Sequence, residues 1–124
     1  MQELAVVAAG GAIGAGMRWW LGGAIAERLG SSFPWHTAVI NVSGAFLLGV
    51  LMALSAERGV VSQGWRLFAG VGILGGYTTF STLGYESVRL LEQGLWAQGL
   101  ANMFGSGLAG LVAVIAGLAL GRVL

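Results

Sequence analysis

The residues best suited to chemistry lie together at Gly75-Gly76-Tyr77-Thr78-Thr79-Phe80-Ser81-Thr82. Two adjacent glycines and then four hydroxyl residues in five positions make poor helix chemistry. The glycines lose the most backbone freedom, and the hydroxyls compete with the helix for its own partners. This octet falls at the centre of the apolar stretch 67–91. One expectation is therefore a discontinuous helix, unwound halfway across a membrane. Its freed carbonyls would suit a cation and its restarted N-terminus an anion. The other is a kinked but continuous helix whose hydroxyls bond carbonyls one turn earlier.

Polar residues beyond the octet extend it. Thr79, Thr82 and Glu86 follow at helical spacings of three and four and share one face, and Arg89 lies three residues past Glu86. Glu86 is expected either to pair with Arg89 near the surface or to stand in a vestibule. Thr37 and Asn41 are four apart, and Asn41 carries an amide well inside an apolar stretch. That amide can donate to an anion or bond a neighbouring helix. Asn102 and Ser106 form a similar pair. Arg18 is the cation deepest within an apolar stretch, free to snorkel past Trp19 and Trp20 or to hold an anion near a mouth. His36, beside Pro34 and Trp35, is read as an interfacial residue with no assigned role.

The elements that must position these residues are membrane helices. Of 124 residues, 56% are hydrophobic and only 9% are charged, against about 25% charged in a soluble domain. So few charges cannot cover a soluble fold of this size, where little of the chain is interior. The basic residues are six scattered arginines, which gives no footprint for nucleic acid. Cysteine is absent, so disulfides and thiolate metal sites are excluded. Charge-free runs at 29–56, 67–85 and 93–121, with 4–26 interrupted only by Arg18, predict four transmembrane helices. The expected spans are about 4–26, 36–56, 66–90 and 97–121, forming a single all-α membrane domain. The first lacks the basic leader of a cleaved signal and is expected to stay in the protein. Trp35, Trp65 and Trp96 stand at span edges, where an indole prefers to sit. No connection is long enough to house a domain, so activity must lie within the bilayer.

Four spans leave both termini on one side. Arg58, Arg66 and Arg122 then face Arg28, Arg89 and the nearby Arg18. The positive-inside rule has almost no asymmetry to act on, and the expectation is insertion in both orientations with antiparallel pairing of two copies. Gly10 and Gly14, Gly72 and Gly76, and Gly117 and Gly121 offer close helix approach. There is no metal-binding His cluster, no nucleophile triad and no carboxylate pair, so an enzyme is not expected. Neutral donors and helix termini suit a small anion.

The octet at 75–82 closely resembles the signature of Fluc-type (CrcB) fluoride channels. Gly10-Gly11-Ala12-Ile13-Gly14-Ala15 with Arg18 is similar to their first-helix pattern, and Thr37-Ala38-Val39-Ile40-Asn41-Val42 to their second. The likeness covers the whole chain. It implies a dual-topology antiparallel homodimer in the cell membrane, with two fluoride pores along the subunit interfaces. It implies a structural Na+ on the two-fold, held by carbonyls mapped to Gly75 and Thr78. Phe80 maps to a pore phenylalanine and Asn41 to the pore asparagine. Ser81, Thr82 and Glu86 map to a polar track, to which Thr37, Thr79, Arg18 and Ser106 are added as candidate lining. Two positions depart from the family pattern. Leu83 stands where many members carry a second phenylalanine, and His36 where glycine is usual. The alternatives are a small dual-topology multidrug or cation exporter, a non-conducting half of a heterodimeric channel, or an assembly subunit. The exporter would need a glutamate in the first helix, and residues 4–17 contain none.

Overall fold

The computed structural model describes all residues, 1–124, and is entirely helical. Helix α1 is Gln2–Leu29, α2 is Trp35–Glu57, α3 covers residues 63–77, α4 is Phe80–Glu92 and α5 is Trp96–Val123. Three of these, α1, α2 and α5, are long and apolar enough to cross a membrane. The third expected span falls instead on two shorter helices, α3 and α4. The 13 residues of α4 rise about 20 Å, less than the hydrocarbon thickness.

The helices stop where their residues demand it. Gly30 ends α1 with φ 79°, and Gly94 turns the chain between α4 and α5 with φ 80°, a region closed to most side chains. Pro34 precedes α2, where its missing N–H costs nothing. Ser62 caps α3 by accepting from the Trp65 amide at 3.4 Å. Trp35, Trp65 and Trp96 are all exposed near helix starts. Wider π-helical turns occur at Ala53–Glu57, Arg66–Leu74 and Ala101–Gly105.

Two pairings build the bundle. Helix α1 lies against α3, and α2 lies against α5, with α4 docked on the start of α5. The small residues explain how close these approaches are. A Cβ at Gly14 would meet the Ile73 carbonyl, and one at Gly72 would lie 2.9 Å from the Gly10 Cα. At the other pairing, a Cβ at Gly117 would meet the Phe46 carbonyl and one at Gly49 the Val114 carbonyl at 2.5 Å. Backbone therefore packs on backbone along both interfaces, the arrangement that small residues permit in lipid. Arg122 forks onto Glu57 with contacts of 2.7 and 2.8 Å, and Arg58 donates to the Gly121 carbonyl at 3.2 Å. These bonds tie the ends of α2 and α5 together.

Candidate functional site

The octet does break the helix. Thr78 and Thr79 are extended, with φ, ψ of −82°, 156° and −150°, 123°. The Thr79 amide would otherwise bond the Gly75 carbonyl and continue the helix. It donates instead to Asn41 Oδ1 at 2.7 Å, while Asn41 Nδ2 donates back to the Thr79 carbonyl at 2.9 Å. One side-chain amide thus replaces a backbone partner on both sides of the same residue. Thr79 Oγ1 then caps α4 by accepting from the Thr82 amide at 3.3 Å. The Thr78 carbonyl receives no hydrogen bond, and the Gly75 carbonyl has lost its helical donor. The alternative of back-bonded hydroxyls is realised at one position within the break, where Thr78 Oγ1 donates to the Leu74 carbonyl at 3.0 Å.

Helix α2 cradles this interruption. A Cβ at Gly44 would collide with the Thr78 methyl, so only glycine admits the extended turn at that point. Ser43 Oγ lies 3.0 Å from the Tyr77 hydroxyl, and the Tyr77 ring is buried. Ser43 is the residue of this contact that type and spacing do not single out. The signal was available in Ser43, a hydroxyl two residues past Asn41 and next to Gly44.

A groove of about 340 Å³ opens beside the break. It brings together Asn41, Gly75, Thr78, Thr79, Phe80, Leu83 and Ser106 from α2, α3, α4 and α5. Phe80 is 75% exposed, whereas Leu83, one turn on, is only 6% exposed. Ser81 is exposed and lies 3.4 Å from Thr79 Oγ1, and Thr82 Oγ1 lies 3.2 Å from the same oxygen. The three hydroxyls therefore form one connected polar strip along α4. Thr37 is buried one turn before Asn41. Arg18 lines a separate cavity on α1 with His36 and Glu27, away from the groove.

Two expectations about partners are corrected. Glu86 does not pair with Arg89: its Oε2 lies 2.9 Å from His36 Nε2, while Arg89 binds Glu92 at 3.0 Å. Arg89 stands three residues from both carboxylates, and His36 arriving from α2 takes one of them. His36, given no role from sequence, is thus a contact of the polar track. Asn102 does not act with Ser106. It is fully buried and donates to Ser87 Oγ at 3.0 Å, and Ser87 donates to the Leu83 carbonyl at 2.7 Å. This pair fixes α4 onto α5.

The model for the family described as "CrcB-like protein, Camphor Resistance (CrcB)" matches residues 5–118. The chain belongs to the CrcB family. As a CrcB protein it is a multi-pass membrane protein, in keeping with its three long apolar helices. It is 43% identical over 122 residues to a protein of Chloroflexus aurantiacus named fluoride-specific ion channel FluC, covering 98% of this chain and 97% of that one. A Thermus thermophilus protein of the same name is 44% identical over 124 residues, covering 100% of this chain and 98% of its own length. One from Nitrobacter winogradskyi is 44% identical over 118 residues, covering 95% and 94%. These CrcB relatives are ion channels, not enzymes.

Proposed function

We propose that this CrcB protein is a fluoride-selective channel in the cell membrane that lets fluoride leave passively. The observation that carries the reading is the helix break held by Asn41, opening on a groove lined by neutral donors and an aromatic ring. The names of its relatives agree. Fluoride is small and holds its water strongly, so a pore must replace that shell with donors. The second N–H of Asn41, the hydroxyls of Thr79, Ser81 and Thr82, and the positive edge of Phe80 supply them. Binding must stay weak enough for release. Chloride is rejected by width and by poorer matching to hard donors. Glu86 is the only carboxylate on the track, and it lies seven residues past Thr79 in the middle of α4 and not at the break, which disfavours proton-coupled cation export.

Our reading has α3 and α4 together forming a fourth crossing, broken near the bilayer centre. The working unit is then two copies in opposite orientations. Gly75, Phe80 and Ser81 are exposed beside a Thr78 carbonyl that lacks a donor. Lipid tails cannot satisfy such a surface, so a second copy must cover it. The near-balanced arginines leave insertion free to occur both ways. Two pores follow, one along each groove.

The Gly75 and Thr78 carbonyls fit a hard monovalent cation, because both are oxygen ligands released from helical bonding. Doubled by a two-fold, they would offer four oxygens to one Na+. That ion would supply positive charge that offsets an anion nearby. Asn41 keeps the Gly75 carbonyl free by taking the Thr79 amide, and Thr79 Oγ1 keeps the Thr78 carbonyl free by taking the Thr82 amide.

Efflux of fluoride and chloride from liposomes holding the purified protein tests the function. Fluoride release with chloride retained is expected. Equal release of both, or of neither, would refute it.

A further inference from the structure

The last turn of α3 meets its two neighbours in different ways. Against α1 the contact is backbone on backbone. A Cβ at Gly76 would lie 2.6 Å from the Gly11 carbonyl, and one at Gly14 would lie 2.9 Å from the Tyr77 amide. Glycine faces let two helices come close, but they carry no side chain to stop one sliding along the other. Against α2 the contact is made by one side chain. The Tyr77 ring is 6% exposed and lies over Gly44, where a Cβ would come within 3.2 Å of it. Its hydroxyl is 3.0 Å from Ser43 Oγ, and this is the one hydrogen bond that ties α3 to another helix. Ser43 has a single proton, which it gives to the Ile40 carbonyl at 3.1 Å, so the Tyr77 hydroxyl is the donor to Ser43.

We propose that Tyr77 is a positioning residue for the Gly75 and Thr78 carbonyls, its hydroxyl locking the end of α3 to α2 so that the two oxygens keep the placement a Na+ ion needs. The inference rests on the cation reading above. Gly75 lies two residues before Tyr77 and Thr78 directly after it, and both line the groove at the break. Ser43 holds the near side of the break at Tyr77, and Asn41 holds the far side at Thr79. One helix, α2, therefore sets both ends of the segment that carries the free oxygens. Oxygen ligands favour one cation over another through the spacing and rigidity of their cage, so a loosened end weakens the site. Tyr77→Phe keeps the ring and leaves Ser43 bonded to Ile40, with no donor stranded. Its cost to folding is therefore small, and the effect falls on where the carbonyls sit.

Thermal unfolding of the detergent-solubilised protein, with Na+ titrated against choline at constant ionic strength, tests this. An ion that binds the folded state raises the unfolding temperature with its concentration. Tyr77→Phe should need about three- to tenfold more Na+ to reach the same rise, the factor that one net hydrogen bond carries. Ser43→Ala should shift the response in the same direction. Ser43→Thr keeps the hydroxyl, and its extra methyl has room in the open apolar groove of about 870 Å³ beside it, so it should keep the wild-type response. Fluoride efflux from liposomes holding Tyr77→Phe should fall at low Na+ and recover at high Na+, and a loss that persists at high Na+ would count against the proposal. An unaltered Na+ response in Tyr77→Phe, whatever its unfolding temperature, would overturn it while leaving the cation reading intact. No difference between Na+ and choline in the wild type would remove the cation reading and this inference together.

Discussion

Asn41 and Thr79 exchange two hydrogen bonds, amide to carbonyl at 2.9 Å and amide N–H to side-chain oxygen at 2.7 Å, across a gap of 38 residues. The pairing keeps α3 and α4 apart. It satisfies both peptide groups of a residue that lies in neither helix.

Asn41→Ala should therefore harm both folding and flux. It strands the Thr79 N–H and C=O, at about 1–3 kcal/mol for each buried group left unpaired. Asn41→Asp accepts from the Thr79 amide but cannot donate to its carbonyl, and it adds a negative charge to the groove. We expect at least a tenfold loss of fluoride flux in both, with the larger loss in Asn41→Asp. Fluoride-electrode efflux beside thermal unfolding in detergent checks this. Wild-type flux in Asn41→Asp would show that the clamp is dispensable.

Gly14→Ala should destabilise the protein by about 1–3 kcal/mol, because the added methyl meets the Ile73 carbonyl and comes within 2.9 Å of the Tyr77 amide. Gly16→Ala is the control, since nothing lies within 4 Å of its Cβ position. Thermal unfolding of the two variants should separate them clearly.

Leu83→Phe should raise fluoride flux. Leu83 is buried against the same groove as Phe80, and a ring there would add a positive edge that leucine lacks. Initial efflux rates per reconstituted protein give the answer. An unchanged or lower rate would mean that the groove is complete as it stands.

Asn102→Ala should cost about 2–4 kcal/mol, through a lost bond to Ser87 and a void in a fully buried place. Asn102→Leu should cost less. It fills the space and removes the carbonyl oxygen that has no partner. Denaturation midpoints in detergent would rank the two, and the reverse order would count against this account of α4 docking.

A reporter fused to the C-terminus should be active on both faces of the membrane if insertion runs both ways. Adding two arginines to the loop at 30–34 should then shift nearly all of it to one orientation. Signal from a single compartment in the unmodified chain would contradict the antiparallel pairing.

What could be read along the chain was what depends on neighbours in sequence. Apolar runs bounded by Gly30, Pro34 and Gly94 mark out helices, because helix formation and its interruption are local events. The break at Thr78 and Thr79 was legible for the same reason: glycines and hydroxyls weaken a helix wherever it runs. The close approaches at Gly14 and Gly117 were signalled by spacing, though not their partners. Only the folded chain decided who meets whom. Asn41 was equally able to face a ligand or a helix, and packing of α2 on the break put it against Thr79. Glu86 had Arg89 three residues away, yet tertiary packing brought His36 to it and left Arg89 to Glu92. A side chain with several partners in reach along its own helix takes the one that packing desolvates alongside it, and that choice is made between helices, not within one.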